Sequence, residues 1–111
     1  NQVGIASDVT LFTASDFGRA LAPNSEGSDH GWGSHHFVVG GAVLGRQVYG
    51  SFPDLTSNSS TDAGNGRLIP TISVEQYAAT MAKWMGGTPA NLPVILPNLV
   101  NFSQQDLGFM T

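Results

Sequence analysis

At 111 residues the chain is one domain or less, and it is 41% hydrophobic but only 11% charged, against the usual quarter. The net charge is −4, and the basic residues are Arg19, Arg46, Arg67 and Lys83. That spacing excludes a nucleic-acid interface, which needs clustered Lys and Arg, and an anionic membrane surface for the same reason.

No cysteine is present, which excludes disulfides and thiolate chemistry. No apolar run approaches a membrane span, and no signal-peptide pattern is visible. The low lysine content with many Ser, Asn and Gly leans towards a periplasmic or secreted location.

In chain order, Val9–Thr13 is a β-branched and aromatic run that reads as a buried strand. Phe17 to Leu21 is expected to start a short helix that Pro23-Asn24 stops. Residues 24–33 read as loop. His36-Phe-Val-Val39 is a second strand, and Arg46–Tyr49 a candidate third. Gly50 to Gly66 is a long polar loop, of the kind that is functional or mobile in compact domains.

Ser73 then opens the one strong helix. It is a good N-cap, Glu75-Gln76 suit the first turn, and Gly86-Gly87 end it. Tyr77, Met81 and Trp84 lie on its apolar face and are expected to pack on the sheet. Pro89, Pro93 and Pro97 are expected to forbid regular structure beyond it. The order implies an α/β layered arrangement with few strands and long loops. Two or three strands and one helix bury little apolar area, so the chain reads as a single segment, 1–111, of a larger α/β domain.

The chemistry-bearing residues are concentrated early. All three histidines fall within Asp29-His30-Gly31-Trp32-Gly33-Ser34-His35-His36. Asp16, just past a strand end, is placed to ligate a divalent cation or, alternatively, to cap the following helix. His30 and Asp29 either join Asp16 at an ion or form a surface turn. His35 and His36 face opposite sides of a strand start, so at most one reaches a shared site. Arg19 suits a phosphate or sulfate oxygen, or a pair with Asp16. Trp32 suits a sugar or base stack, or the core. The glycine pairs have no phosphate-loop spacing, and no Gly-x-Ser-x-Gly nucleophile motif occurs.

Taken together, Thr13-Ala-Ser-Asp16-Phe-Gly-Arg19, Gly27-Ser-Asp-His30-Gly-Trp-Gly and His36-Phe-Val-Val-Gly-Gly-Ala-Val closely resemble the C-terminal part of the DUF1501 proteins. Ser73-Val-Glu-Gln-Tyr-Ala-Ala-Thr80 and Asn101–Phe109 fit as well. That family looks like a member of the alkaline phosphatase/sulfatase-like superfamily. The resemblance implies a C-terminal portion of an alkaline-phosphatase-like layered sheet. It implies Asp16 and His30 as metal ligands and Arg19 or His36 lining an anion pocket. The metal would be zinc, manganese or calcium, and the substrate a small phosphate or sulfate ester.

Phe17 stands where the superfamily has a second metal-binding histidine. The nucleophile and remaining ligands would come from upstream, so the resemblance implies half of an active site, completed by the remainder of a larger chain or a second subunit. The alternative is a non-catalytic binding or structural module of the same fold. This chain alone is expected not to hydrolyse esters.

Overall fold

Short β-branched runs parted by glycine and polar turns cannot build a broad sheet, and the computed structural model, which describes residues 3–111, holds two-stranded sheets only. The strands are β1 (Thr10–Phe12), β2 (Arg19–Asn24), β3 (Gly27–His30) and β4 (Val38–Gly40). The helices are α1 (Val74–Trp84) and α2 (Leu92–Ile95), with 3₁₀ turns at Ala6–Asp8 and Pro97–Asn101. The pairing is β1 with β4 and β2 with β3. The contacts divide the chain into two units. One holds the residues up to Leu11, Val38–Tyr49 and Ile72–Thr111; the other holds Phe12–Phe37 and Gly50–Thr71. The structure is a mixed one of small strands and helices, as the α/β reading requires at that level.

In the first unit, Ser73 caps α1 as its sequence dictates. Its Oγ accepts the Gln76 amide N–H at 3.1 Å, and Gln76 Oε1 accepts the Ser73 N–H at 2.9 Å. This reciprocal box satisfies two N–H groups that the first turn would leave open. Gly86, at φ +99°, takes the left-handed conformation that ends the helix.

What α1 buries differs from expectation. The core is Ala79, Leu92 and Leu99, with Ala82 and Leu96 packed against it. Helix α1 therefore packs on α2 and the Pro97–Asn101 turn. Met81 is buried as expected, whereas Trp84 and Tyr77 are half-buried. The proline-rich stretch is helical because Pro93 and Pro97 fall in first turns, where a missing N–H costs nothing.

The other buried face of α1 is polar. Gln76 Nε2 donates to the Gln104 carbonyl at 2.7 Å. Thr80 Oγ1 donates to Gln76 O at 2.9 Å and accepts the Leu107 N–H at 2.9 Å. Lys83 pairs with Asp106. Residues 76, 80 and 83 share one helix face, and there they bind the backbone and one carboxylate of the C-terminal segment. That segment then buries Phe109 against Tyr49 and Tyr77, at centroid distances of 5.7 and 5.9 Å.

Four local expectations are corrected. Residues 17–21 are not helical: β2 runs through Arg19–Asn24, and β3 occupies part of the stretch read as loop. No strand forms at 46–49, because Arg46 adopts φ +62° and breaks the extended run. The strand read as buried, Val9–Thr13, is largely exposed, with Leu11 at 67%.

In the second unit, the polar loop from 50 to 66 closes on itself. Ser59 and Thr61 hydroxyls donate to Asp54 O at 3.0 and 2.8 Å. Asp62 accepts N–H groups from Asn58 and Gly64 at 3.2 and 2.8 Å. Partial desolvation, the largest single effect on the Asp62 carboxyl, pushes its pKa up. The N–H groups of Asn58, Gly64, Gly66 and Arg67 together outweigh this and hold it below the usual value.

Candidate metal and anion site

All four candidate residues, Asp16, Arg19, His30 and His36, belong to the second unit. The β2–β3 hairpin brings two of them together. Its turn is set by Asn24, whose Oδ1 accepts the Glu26 N–H at 3.1 Å. Its antiparallel register pairs Arg19 with His30, Pro23 with Ser28 and Asn24 with Gly27, with an irregularity between Arg19 and Pro23. Arg19 and His30 are thus direct cross-strand neighbours, a relation that residues eleven positions apart do not announce in sequence.

The glycines around these residues serve backbone contact. The Gly31 N–H donates to Gly18 O at 2.7 Å, and the Gly18 N–H donates to Trp32 O at 3.1 Å. A Cβ at Gly18 would lie 2.1 Å from the Gly33 carbonyl oxygen, and one at Gly31 would lie 2.7 Å from the Arg19 carbonyl carbon. Neither position admits a side chain. The Gly-Trp-Gly motif therefore locks the strand carrying His30 against the one carrying Arg19.

Phe17 contacts both His30 and Arg19. Its ring stacks on the His30 imidazole, with centroids 4.1 Å apart and planes 27° from parallel. The Arg19 guanidinium carbon lies 5.3 Å from the Phe17 ring centre, within cation–π range. Arg19 Nη1 also donates to Ser28 O at 3.0 Å. Among the described residues the ion pair that forms is Lys83–Asp106, so the Arg19–Asp16 pair entertained from sequence is not made.

Asp29 takes the turn role: its Oδ1 accepts the His30 N–H at 2.9 Å. Asp16 lies exposed at a bend between β1 and β2. With a strand rather than a helix following, its capping role falls away. His35 and His36 lie just before β4 and have different neighbours. His35 meets Phe37 edge to face at 6.1 Å, while His36 Nδ1 lies 3.1 Å from Thr13 Oγ1. Trp32 is 58% exposed, so its core role is not met among the described residues.

The donor chemistry of Asp16 and His30 suits a divalent cation, but a zinc centre needs three or four ligands. Among the described residues no three His, Asp or Glu side chains group to hold an ion. No helix among the described residues is long and apolar enough to cross a membrane.

These motifs carry a family signature. The family model described as protein of unknown function (DUF1501) matches residues 1–92, and the chain belongs to that family. The match ends at Leu92, so the tail that α1 binds lies beyond it. No curated protein and no solved structure matches the chain.

Proposed function

We propose that this chain supplies one side of an alkaline-phosphatase- or sulfatase-like hydrolase site for phosphate or sulfate esters, in a periplasmic or secreted protein. Asp16 and His30 would be the ligands it contributes to a zinc, manganese or calcium ion. Arg19 and His36 would bind the anionic group. The observation that carries this reading is the β2–β3 register, which sets Arg19 directly across from His30.

Arg19 contributes a rigid fork of five N–H donors, of which Nη1 is engaged by Ser28 O. That leaves a planar, permanently charged donor beside the imidazole. Such a group matches tetrahedral oxyanions through two parallel bonds. A metal bound here would act as a Lewis acid on an ester oxygen. The nucleophile and further ligands would come from the remainder of a larger chain or a second subunit. The solvent-facing apolar side chains of Leu11 and Val39 suit strands that further α/β layers cover on both faces.

One observation favours the non-catalytic alternative. The Phe17 ring covers a face of His30, where the superfamily pattern would have a second ligand. Metal analysis of the purified protein separates the metal-binding readings from a purely structural one. Ester hydrolysis by a polypeptide that joins this chain to its upstream partner, lost on His30→Ala, separates catalysis from binding. Metal content without any hydrolysis would leave the binding module as the correct reading.

A further inference from the structure

Residues 61–69 close into a tight hairpin. The Ala63 N–H donates to Arg67 O and the Ile69 N–H to Thr61 O, each at 2.8 Å, and Asp62 bridges Leu68 in antiparallel register. At the tip the Arg67 N–H donates to Gly64 O at 3.2 Å, and Asn65 and Gly66 between them take φ +58° and +70°. An Asn-Gly pair with both φ angles positive is a type I′ turn. The tip is docked on β2: the Leu21 N–H donates to Gly66 O at 3.0 Å and the Ala22 N–H to Asn65 O at 3.3 Å. A Cβ at Gly66 would stand 2.5 Å from that of Leu21, so the close approach requires glycine there.

An asparagine followed by glycine is also primed for cyclisation, because glycine leaves the following nitrogen unhindered. The Gly66 nitrogen, having given its proton to solvent base, attacks Asn65 Cγ. The Cγ–Nδ2 bond breaks, Nδ2 leaves as ammonia, and a five-membered succinimide remains. Water then adds to one imide carbonyl and opens the ring to aspartate or isoaspartate. Ring closure requires Asn65 Cβ and Gly66 N to eclipse about the Cα–C bond. Left-handed backbone, with ψ about +30 to +60°, sets them nearly opposite instead. Asn65 is exposed, yet it cannot cyclise until ψ swings through close to half a turn. That rotation carries away both carbonyls that hold β2.

We infer that Asn65 is a modification site, a succinimide-forming asparagine gated by the docking of its turn on β2. Conversion to isoaspartate adds a methylene to the main chain and a carboxylate to the tip. The lengthened chain no longer fits the turn, so the tip does not return to the Leu21 and Ala22 N–H groups. Strand β2, which carries Arg19, then keeps its pairing with β3 and loses its other edge. The modification makes permanent an opening that is otherwise reversible.

The test compares the 111-residue chain in buffer and in concentrated urea at the same mildly alkaline pH. Isoaspartate at position 65 is read by peptide mapping and by methyl transfer from an isoaspartyl methyltransferase. The unfolded chain should accumulate it. The folded chain should do so more slowly by the factor that protects the Leu21 and Ala22 amides from hydrogen exchange, at least about tenfold. Folded chain isolated with isoaspartate at 65 should exchange those two amides faster, while the Gly31 amide, bonded to Gly18 O, keeps its protection. Equal rates in buffer and urea, or a slowing far short of the amide protection, would overturn the gating. No isoaspartate at 65 in urea would overturn the site itself. Unchanged Leu21 and Ala22 exchange in the modified chain would overturn the release of β2.

Discussion

Thr80→Val tests whether the polar face of α1 holds the C-terminal segment. Thr80 is 2% exposed, and its hydroxyl makes two bonds: it donates to Gln76 O and accepts the Leu107 N–H, each at 2.9 Å. Valine has nearly the same shape but neither capability. Gln76 O keeps its helical role, so losing the donor there costs little. The Leu107 N–H loses the acceptor that the structure gives it. A buried donor left unsatisfied costs about 1–3 kcal/mol, and the added methyl returns roughly 0.8 kcal/mol. The net expectation is a loss of up to about 2 kcal/mol, or up to roughly 15 °C in Tm for a chain of this size. Urea unfolding should show a lower midpoint at constant slope, and native-state hydrogen exchange should show the Leu107 amide exchanging faster. Thr80→Ser keeps the hydroxyl and should retain Leu107 protection. A Thr80→Val chain with unchanged midpoint and unchanged Leu107 protection would refute the reasoning.

Three further outcomes follow from the same geometry. Gly18→Ala puts a Cβ 2.1 Å from the Gly33 oxygen, so it should cost at least about 1–3 kcal/mol and shift the His30 ring resonances; a neutral effect on both would contradict the backbone-contact account. The Asp106 carboxyl is held below its ordinary value of 3.8, chiefly by its hydrogen bond from Lys83 and then by the Gly108 N–H. A folded-state pKa below the unfolded one gives stability that is present above the unfolded value and lost as pH falls through the folded one. Lys83→Met should therefore flatten the stability profile below about pH 4, with a small effect near neutrality because the pair is exposed; an unchanged acid profile would show that Lys83 is not the cause. Finally, the 111-residue chain with added Zn²⁺, Mn²⁺ or Ca²⁺ should not hydrolyse phosphate or sulfate esters, since it lacks a positioned nucleophile and the proximity effect worth about 7–11 kcal/mol. Turnover above the metal-only control, lost on His30→Ala, would show a complete site.

Local signals were legible where they are governed by nearest neighbours. Ser73 and Gly86 bound α1 because capping is a property of a few adjacent residues. Val9–Thr13 contains β1 and His36–Val39 overlaps β4, which starts at Val38 and runs on through Gly40, because β-branched residues favour extended backbone. The β2 strand was not legible, since Arg19-Ala-Leu-Ala favours a helix by propensity. The hairpin wins because the Asn24 turn and the contact at Gly18 and Gly31 fix an extended path. The polar face of α1 was missed for a related reason. Gln76 and Thr80 look solvent-facing until the tail arrives to bind them, and that contact spans nearly thirty positions. At the candidate site the residue types were visible in the motif. The cross-strand relation of Arg19 to His30, and the Phe17 ring against His30, depend on a register that no local pattern encodes.

The proposed site requires Asp16 and His30 to ligate one ion. A Mn²⁺ titration of the ¹⁵N-labelled chain, followed by paramagnetic line broadening, addresses it most directly. The account predicts that the signals of Asp16 and His30 broaden first at substoichiometric Mn²⁺, and that His30→Ala abolishes this local effect. Broadening centred instead on the Asp54–Asp62 loop, or spread evenly over the exposed carboxylates and unaffected by His30→Ala, would contradict it.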